Sequence, residues 1–119
     1  MVNRAMEAAE HLAPDISVSV LDLRWVSPLD KVAVEEAVAN SGGHVLVVHE
    51  AVRTGGFGAE IATQIHESFG GLLRMPVRRL ATPDVRIPAS PVLQAALIPD
   101  ADAIAAAVRS MLASSPVLA

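Results

Sequence analysis

One stretch of this 119-residue chain concentrates the side chains that could do chemistry: His49-Glu50-Ala51-Val52-Arg53-Thr54-Gly55-Gly56-Phe57-Gly58-Ala59-Glu60-Ile61. Histidine beside glutamate supplies the two groups that most often move protons near neutral pH. Adjacent residues on an extended chain diverge, however, so His49 and Glu50 do not share one reacting atom from a strand. Arg53 and Thr54 carry donors suited to a carboxylate or another anion. Gly55 and Gly56 let the backbone turn sharply or approach a second surface closely. The spacing excludes two familiar phosphate cradles. Gly56-Phe57-Gly58 supplies two glycines of a dinucleotide fingerprint, but Ile61 stands where the third belongs, and no Gly-Lys-Ser/Thr follows. Three readings stay open for the loop: a tight turn with a packing role, a small-anion site, and a surface that docks another chain.

The remaining reactive side chains form no constellation. His44 and His49 are five apart and point to opposite faces of a strand, so they cannot share a metal from it. His11 and His66 lie on helical segments without the spacing of a metal pair. All four read as solvated or hydrogen-bonded imidazoles. The absence of cysteine excludes disulfides, thiolate metal sites and a cysteine nucleophile. No serine sits in a strand-to-helix nucleophile elbow. Glu35 pairs with Lys31 at helical spacing on a solvated face, and Asp22 and Arg24 read as a polar strand end.

The glycine loop needs a strand before it and a helix after it, and the pattern provides both. Residues 44–49 form a short, nearly all-apolar run, as in a parallel strand covered on both faces. Residues 57–69 place Ile61, Ile65 and Phe69 four apart, one helical face, and Gly70-Gly71 ends the helix. Upstream, residues 2–12 read as a helix, broken by Pro14-Asp15. Residues 16–23 alternate and then become apolar, a strand pattern. Ser27-Pro28-Leu29-Asp30 starts a helix that runs to about Asn40 and stops at Gly42-Gly43, with Ser27 as cap and Pro28 in the first turn. Downstream, residues 75–81 read as a third strand. A short helix follows Ser90-Pro91, and Asp100 caps a last helix over about 101–112. The order α-β-α-β-α-β-α predicts an α/β domain of three layers, helices on both faces of a mainly parallel sheet, over residues 1–113. Residues 114–119 read as a frayed tail.

Composition agrees. Hydrophobic residues make up 52% and charged ones 18%, so the chain can bury enough apolar surface to offset its ordering entropy. With one Trp, two Phe and no Tyr, the core must be aliphatic. A net charge of −4 and scattered arginines argue against nucleic acid as a partner. No apolar run approaches a membrane span, and the start lacks the apolar core of a signal peptide; a cytoplasmic location is the expectation.

The run LVVHEAVRTGGFGAEI (residues 46–61) closely resembles the C-terminal domain of the beta subunit of thiamine-diphosphate-dependent 2-oxo acid dehydrogenases, namely the pyruvate, branched-chain and acetoin enzymes. The wider group is the transketolase C-terminal domain. Residues 1–12 resemble the family's first helix. Val20-Leu21-Asp22-Leu23-Arg24 with Ser27-Pro28-Leu29-Asp30, Pro76-Val77 with Arg79-Leu80, Pro83-Asp84, Ile87-Pro88 and Leu97-Ile98-Pro99 extend the match. The R-T-G-G-F-G run argues against transketolase itself or deoxyxylulose-phosphate synthase.

The resemblance implies a domain that carries no catalytic, cofactor-binding or metal residue of its own. Glu50, Arg53, Thr54, Gly55, Gly56, Phe57 and Gly58 match the family motif and are assigned to structure and interface. Thiamine diphosphate and magnesium belong to the complete enzyme. The implied partners are an alpha subunit, a second beta subunit and the dihydrolipoyl acyltransferase. Against the family pattern, the cofactor-binding domain, an edge strand and the strand between those matching residues 16–23 and 44–49 are missing. That gap is expected to expose strand edges and to favour self-association. The alternatives are a free-standing, non-enzymatic binding module of the same fold, or the matching domain of transketolase or deoxyxylulose-phosphate synthase.

Overall fold

The computed structural model describes residues 1–114. Its elements are helices α1 (Val2–Leu12), α2 (Lys31–Asn40), α3 (Phe57–Phe69), α4 (Pro91–Ala95) and α5 (Ala101–Ala113), strands β1 (Leu46–Val52) and β2 (Arg78–Thr82), and a 3-10 turn at Gly70–Leu72. The strands pair in parallel, with Leu46, Val47 and Val48 opposite Arg78, Arg79 and Leu80.

The alternation along β1 builds the layers. Leu46 and Val48, with Leu80, pack on a core of Ala8 and Leu12 from α1 and Ala101, Ile104, Ala105 and Val108 from α5. Val45 and Val47, with Val77, pack on Val34 and Val38 of α2 and Ile61 and Ile65 of α3. Successive side chains of a strand leave opposite faces, so the apolar run at 45–48 serves two cores at once. Each fully buried Ile, Leu or Val contributes about 1.5–3 kcal/mol. The α/β/α architecture and the parallel sheet expected from the sequence are present.

Two expectations are corrected. The alternating segment 16–23 does not form a strand. Residues 17–23 carry no strand pairing, and among the described residues no backbone hydrogen bond ties residues 17–22 to another element. A groove of about 580 Å³ separates them from β1, lined by Ser17–Leu21 on one side and Leu46 and Val48 on the other. A strand exists only through a neighbour within about 5 Å, and here the alternating pattern has none, so the described sheet holds two strands.

The second correction concerns α2. It begins at Lys31, and its cap is Asp30, whose carboxylate accepts from the Ala33 N–H at 3.0 Å. Ser27 and Pro28 lie in the preceding turn. Aspartate caps at least as well as serine, and Asp30 abuts the apolar-periodic run directly. Asp100 caps α5 as expected, accepting from Ala103 at 2.8 Å. The strand bounds shift too: β1 extends through His49 and Glu50 to Val52, and β2 begins at Arg78. Residues 115–119, most of the expected tail, lie outside the described residues.

Candidate functional site

The loop between β1 and α3 lies at the carboxyl end of the sheet, where open parallel sheets usually meet ligands or partners. Gly55 takes φ +73°, a conformation side chains disfavour. Gly56 then caps α3 in extended conformation without a side-chain cap bond. Its hydrogen atoms are required by crowding: a Cβ there would meet the Val52 carbonyl and lie 2.8 Å from Cε1 of His49. A Cβ on Gly58 would lie 2.5 Å from Cδ2 of His49 and closer still to its Nε2. The imidazole of His49 therefore lies directly beneath the first turn of α3, and the G-x-G spacing leaves room for it.

This environment corrects the expectation that every histidine is solvated or hydrogen-bonded. Both ring nitrogens of His49 are buried, and neither finds a hydrogen-bond partner among the described residues. Burial, with a smaller contribution from the Arg79 charge, holds its pKa below the usual histidine value. A ring with no carboxylate to orient it and no solvent access at either nitrogen is poorly placed for proton transfer. His66 accepts from the Val77 N–H at 3.2 Å, and His11 lies 3.4 Å from Asp102. Among the described residues no three His, Cys, Asp or Glu side chains come together as a metal site.

The loop's donors are engaged within the chain. Arg53 donates to the Arg79 carbonyl at 3.1 Å, and Arg79 donates back to the Arg53 carbonyl at 2.8 Å. The Arg53 N–H reaches the Thr82 carbonyl at 2.9 Å. Thr54 grips Asp84 with both its N–H (2.7 Å) and its hydroxyl (2.6 Å). These two bonds, then the charges of Arg53 and Arg79, hold the Asp84 carboxyl below the usual aspartate range. The anion suited to Arg53 and Thr54 is thus already present as an internal carboxylate. Sequence reasoning did not single out Asp84 for this part; Pro83-Asp84, a turn pair with a side-chain acceptor, was the available signal. Thr82, fully buried, donates to the Glu50 carbonyl at 2.5 Å, while the Glu50 side chain stays exposed.

What the loop offers outward is apolar. Phe57 is 43% exposed, and Trp25 and Val26 are 73% and 48% exposed. An open groove of about 760 Å³ runs between the 26–29 turn and Gly55, Phe57 and Glu60. Asp22 fixes the bend before it, accepting from the Arg24 N–H at 3.1 Å and lying 3.6 Å from the Arg24 guanidinium.

The family model for the transketolase C-terminal domain matches residues 1–104. The chain belongs to the transketolase C-terminal domain family. This transketolase C-terminal domain is 39% identical over 110 residues to the beta subunit of an acetoin:2,6-dichlorophenolindophenol oxidoreductase from Cupriavidus necator, covering 92% of this chain and 32% of that protein. It is 40% identical over 112 residues to the 2-oxoisovalerate dehydrogenase beta subunit of Bacillus subtilis, covering 92% and 34%. A solved structure described as a split gene transketolase, inactive beta4 tetramer, superposes with a TM-score of 0.75 at 27% identity, covering 96% of this chain and 37% of that one. The chain spans about a third of the length of the curated relatives it matches. Among the described residues, no helix is long and apolar enough to cross a membrane.

Proposed function

We propose that this chain serves as the non-catalytic C-terminal domain of the beta subunit of a 2-oxo acid dehydrogenase, with the carboxyl edge of the sheet as its subunit interface. One observation carries the reading: the Arg53-Thr54-Gly55-Gly56 loop closes its polar groups on Arg79, Thr82 and Asp84 and leaves Phe57, Trp25 and Val26 outward. A loop built this way presents shape and apolar area to another surface rather than groups to a substrate. Glu50, Gly55, Gly56 and Gly58 set the path of that loop; Phe57 supplies contact.

In the complete enzyme, thiamine diphosphate supplies the carbanion chemistry of decarboxylation. The residues of this chain do not fit that group. A diphosphate with its magnesium needs free oxygen ligands and donors, and Thr54 and Arg53 are already held by Asp84 and the Arg79 carbonyl. No catalytic step is therefore assigned to this domain. The alpha subunit, a second beta subunit and the acyltransferase are its proposed partners, in the cytoplasm.

The test mixes the purified chain with the alpha subunit and with the subunit-binding domain of the acyltransferase. Binding to either is expected to weaken more than tenfold on Phe57→Asp, since a central exposed aromatic typically carries over 1.4 kcal/mol. Turnover of pyruvate or a branched-chain 2-oxo acid by the chain alone, with thiamine diphosphate and magnesium, refutes the non-catalytic assignment.

A further inference from the structure

The carboxyl end of the sheet carries positive charge that the chain does not answer. Arg79 is the second residue of β2. Alternation puts it on the same side of the sheet as Val77, which packs on the α2–α3 core, and His49 shares that side. Nη1 of Arg79 donates to the Arg53 carbonyl at 2.8 Å, and Nη1 of Arg53, just past the end of β1, donates to the Arg79 carbonyl at 3.1 Å. Each side chain is thus anchored on the other residue's main chain, and the pair spans the β1–β2 edge. A guanidinium has five N–H donors, and each of these bonds uses one. Among the described residues neither arginine forms an ion pair; the pairs present are His11 with Asp102 and Arg24 with Asp22. Asp84 feels both charges, but its oxygens are committed to Thr54, Oδ1 to the N–H and Oδ2 to the hydroxyl. Glu60, the acid in the first turn of α3, accepts from Gln64.

This edge runs against the net charge of −4 on the whole chain. Arg79 is also half-buried, and a cation drawn partly out of water without a counter-charge is costly. A carboxylate that reaches both guanidiniums offsets that cost through charge-assisted hydrogen bonds. Because both side chains are already anchored, less of their freedom is lost on binding. We propose that Arg53 and Arg79 form a recognition site for one carboxylate, supplied by an aspartate or glutamate side chain of the partner that covers this edge. The charge balance sets the number: two cations stand against Asp84 alone, so one further negative charge completes the set, whereas a multiply charged phosphate meets the repulsion of Asp84. That the carboxylate belongs to a partner rests on the proposed interface; the arginine pair itself does not. The imidazole inside the chain reports on occupancy. The Arg79 charge helps to hold the His49 pKa low, so a carboxylate on Arg79 raises it.

The probe is an end-capped leucine-glutamate-leucine tripeptide, titrated into the full chain at constant ionic strength beside its leucine-glutamine-leucine counterpart. Saturable shifts of the Arg53 and Arg79 side-chain N–H resonances are expected with the glutamate peptide only, together with a rise in the His49 pKa read from its ring-carbon shifts. Arg53→Gln and Arg79→Gln are each expected to weaken binding about two- to fivefold, the range of an exposed ion pair. Arg79→Lys keeps the charge and should recover part of the loss. Arg74→Gln lies at the other end of the sheet, where the Arg74 N–H meets the Gly43 carbonyl, and should change nothing. Absence of saturable shifts overturns the inference. So does an equal response to the glutamine peptide or to inorganic phosphate, which would mark apolar contact or an adventitious ion only. Neither the alpha subunit nor the acyltransferase enters this titration. If both fail to bind the chain while the glutamate peptide binds, the interface reading falls and the carboxylate site stands. If one of them binds and the double Arg53→Gln, Arg79→Gln variant binds it equally well, the interface reading stands and the site is overturned as a partner contact.

Discussion

Replacing Gly58 by alanine drives a methyl group into the imidazole of His49. The added Cβ would lie 2.5 Å from Cδ2 and 3.0 Å from Cε1, against about 3.5–4.0 Å for a comfortable carbon contact. Neither partner yields easily: the ring lies in the sheet with both nitrogens buried, and Gly58 is fixed in the first turn of α3. Overpacking of this kind costs about 1–3 kcal/mol. The same substitution gains about 1 kcal/mol of helix propensity. The net expectation in the parent chain is a loss of about 0–2 kcal/mol. In a His49→Ala background the clash is gone and only the propensity gain remains, so Gly58→Ala should stabilise by about 1 kcal/mol. The coupling energy of the double-mutant cycle is thus about 1–3 kcal/mol, well above the scatter expected for independent sites. Urea unfolding of the four proteins, with equal m-values as the check on two-state behaviour, measures it. A Gly58→Ala effect that is the same in both backgrounds refutes the reasoning, because it would mean that the imidazole is not what excludes the methyl.

Three further outcomes are expected. Folding should weaken in acid through His49: its folded pKa lies below its unfolded value of about 6.5, so the unfolded chain takes up the proton first. The contribution is fully present above pH 6.5 and is lost as pH falls below it towards the lower folded-state pKa; the slope of stability against pH below 6.5 should flatten in His49→Ala. Asp84 behaves as a carboxylate depressed by its Thr54 bonds. Its contribution is present above its unfolded pKa and lost as pH falls through the lower folded one, and Thr54→Val should raise its pKa, as read by carboxyl chemical shifts. Asp100→Ala removes the side-chain bond to the Ala103 N–H and should cost about 1 kcal/mol in urea unfolding.

Local patterns were legible where neighbours in sequence are also neighbours in space. The four-residue spacing of Ile61, Ile65 and Phe69 gave α3, and Asp100 ahead of an alanine-rich run gave α5 and its cap. The alternation of Val45, Leu46, Val47 and Val48 announced a strand covered on both faces, and the cores bear this out. The motif around Arg53 and the glycines singled out the loop between β1 and α3. Its chemistry was less legible, because the group that answers Thr54 is thirty residues away at Asp84, and the ring that makes two glycines necessary stands back in the strand. Gly56 and Gly58 with a histidine seven and nine residues upstream gave no sign in sequence that the glycines accommodate the ring.

The segment 16–23 shows why a correct pattern can yield the wrong element. Ile16, Val18 and Val20 alternate with serines as a half-buried strand should, and two of them do pack: Ile16 and Val18 reach the α1–α5 core. Side-chain periodicity reports which face is buried. It does not report whether a backbone partner lies beside the chain, and strand formation depends on that partner. Here the inward face is satisfied and the ladder is not. Burial of one face at Ile16 and Val18 and pairing of the backbone are thus separate conditions, and the alternating pattern reports only the first.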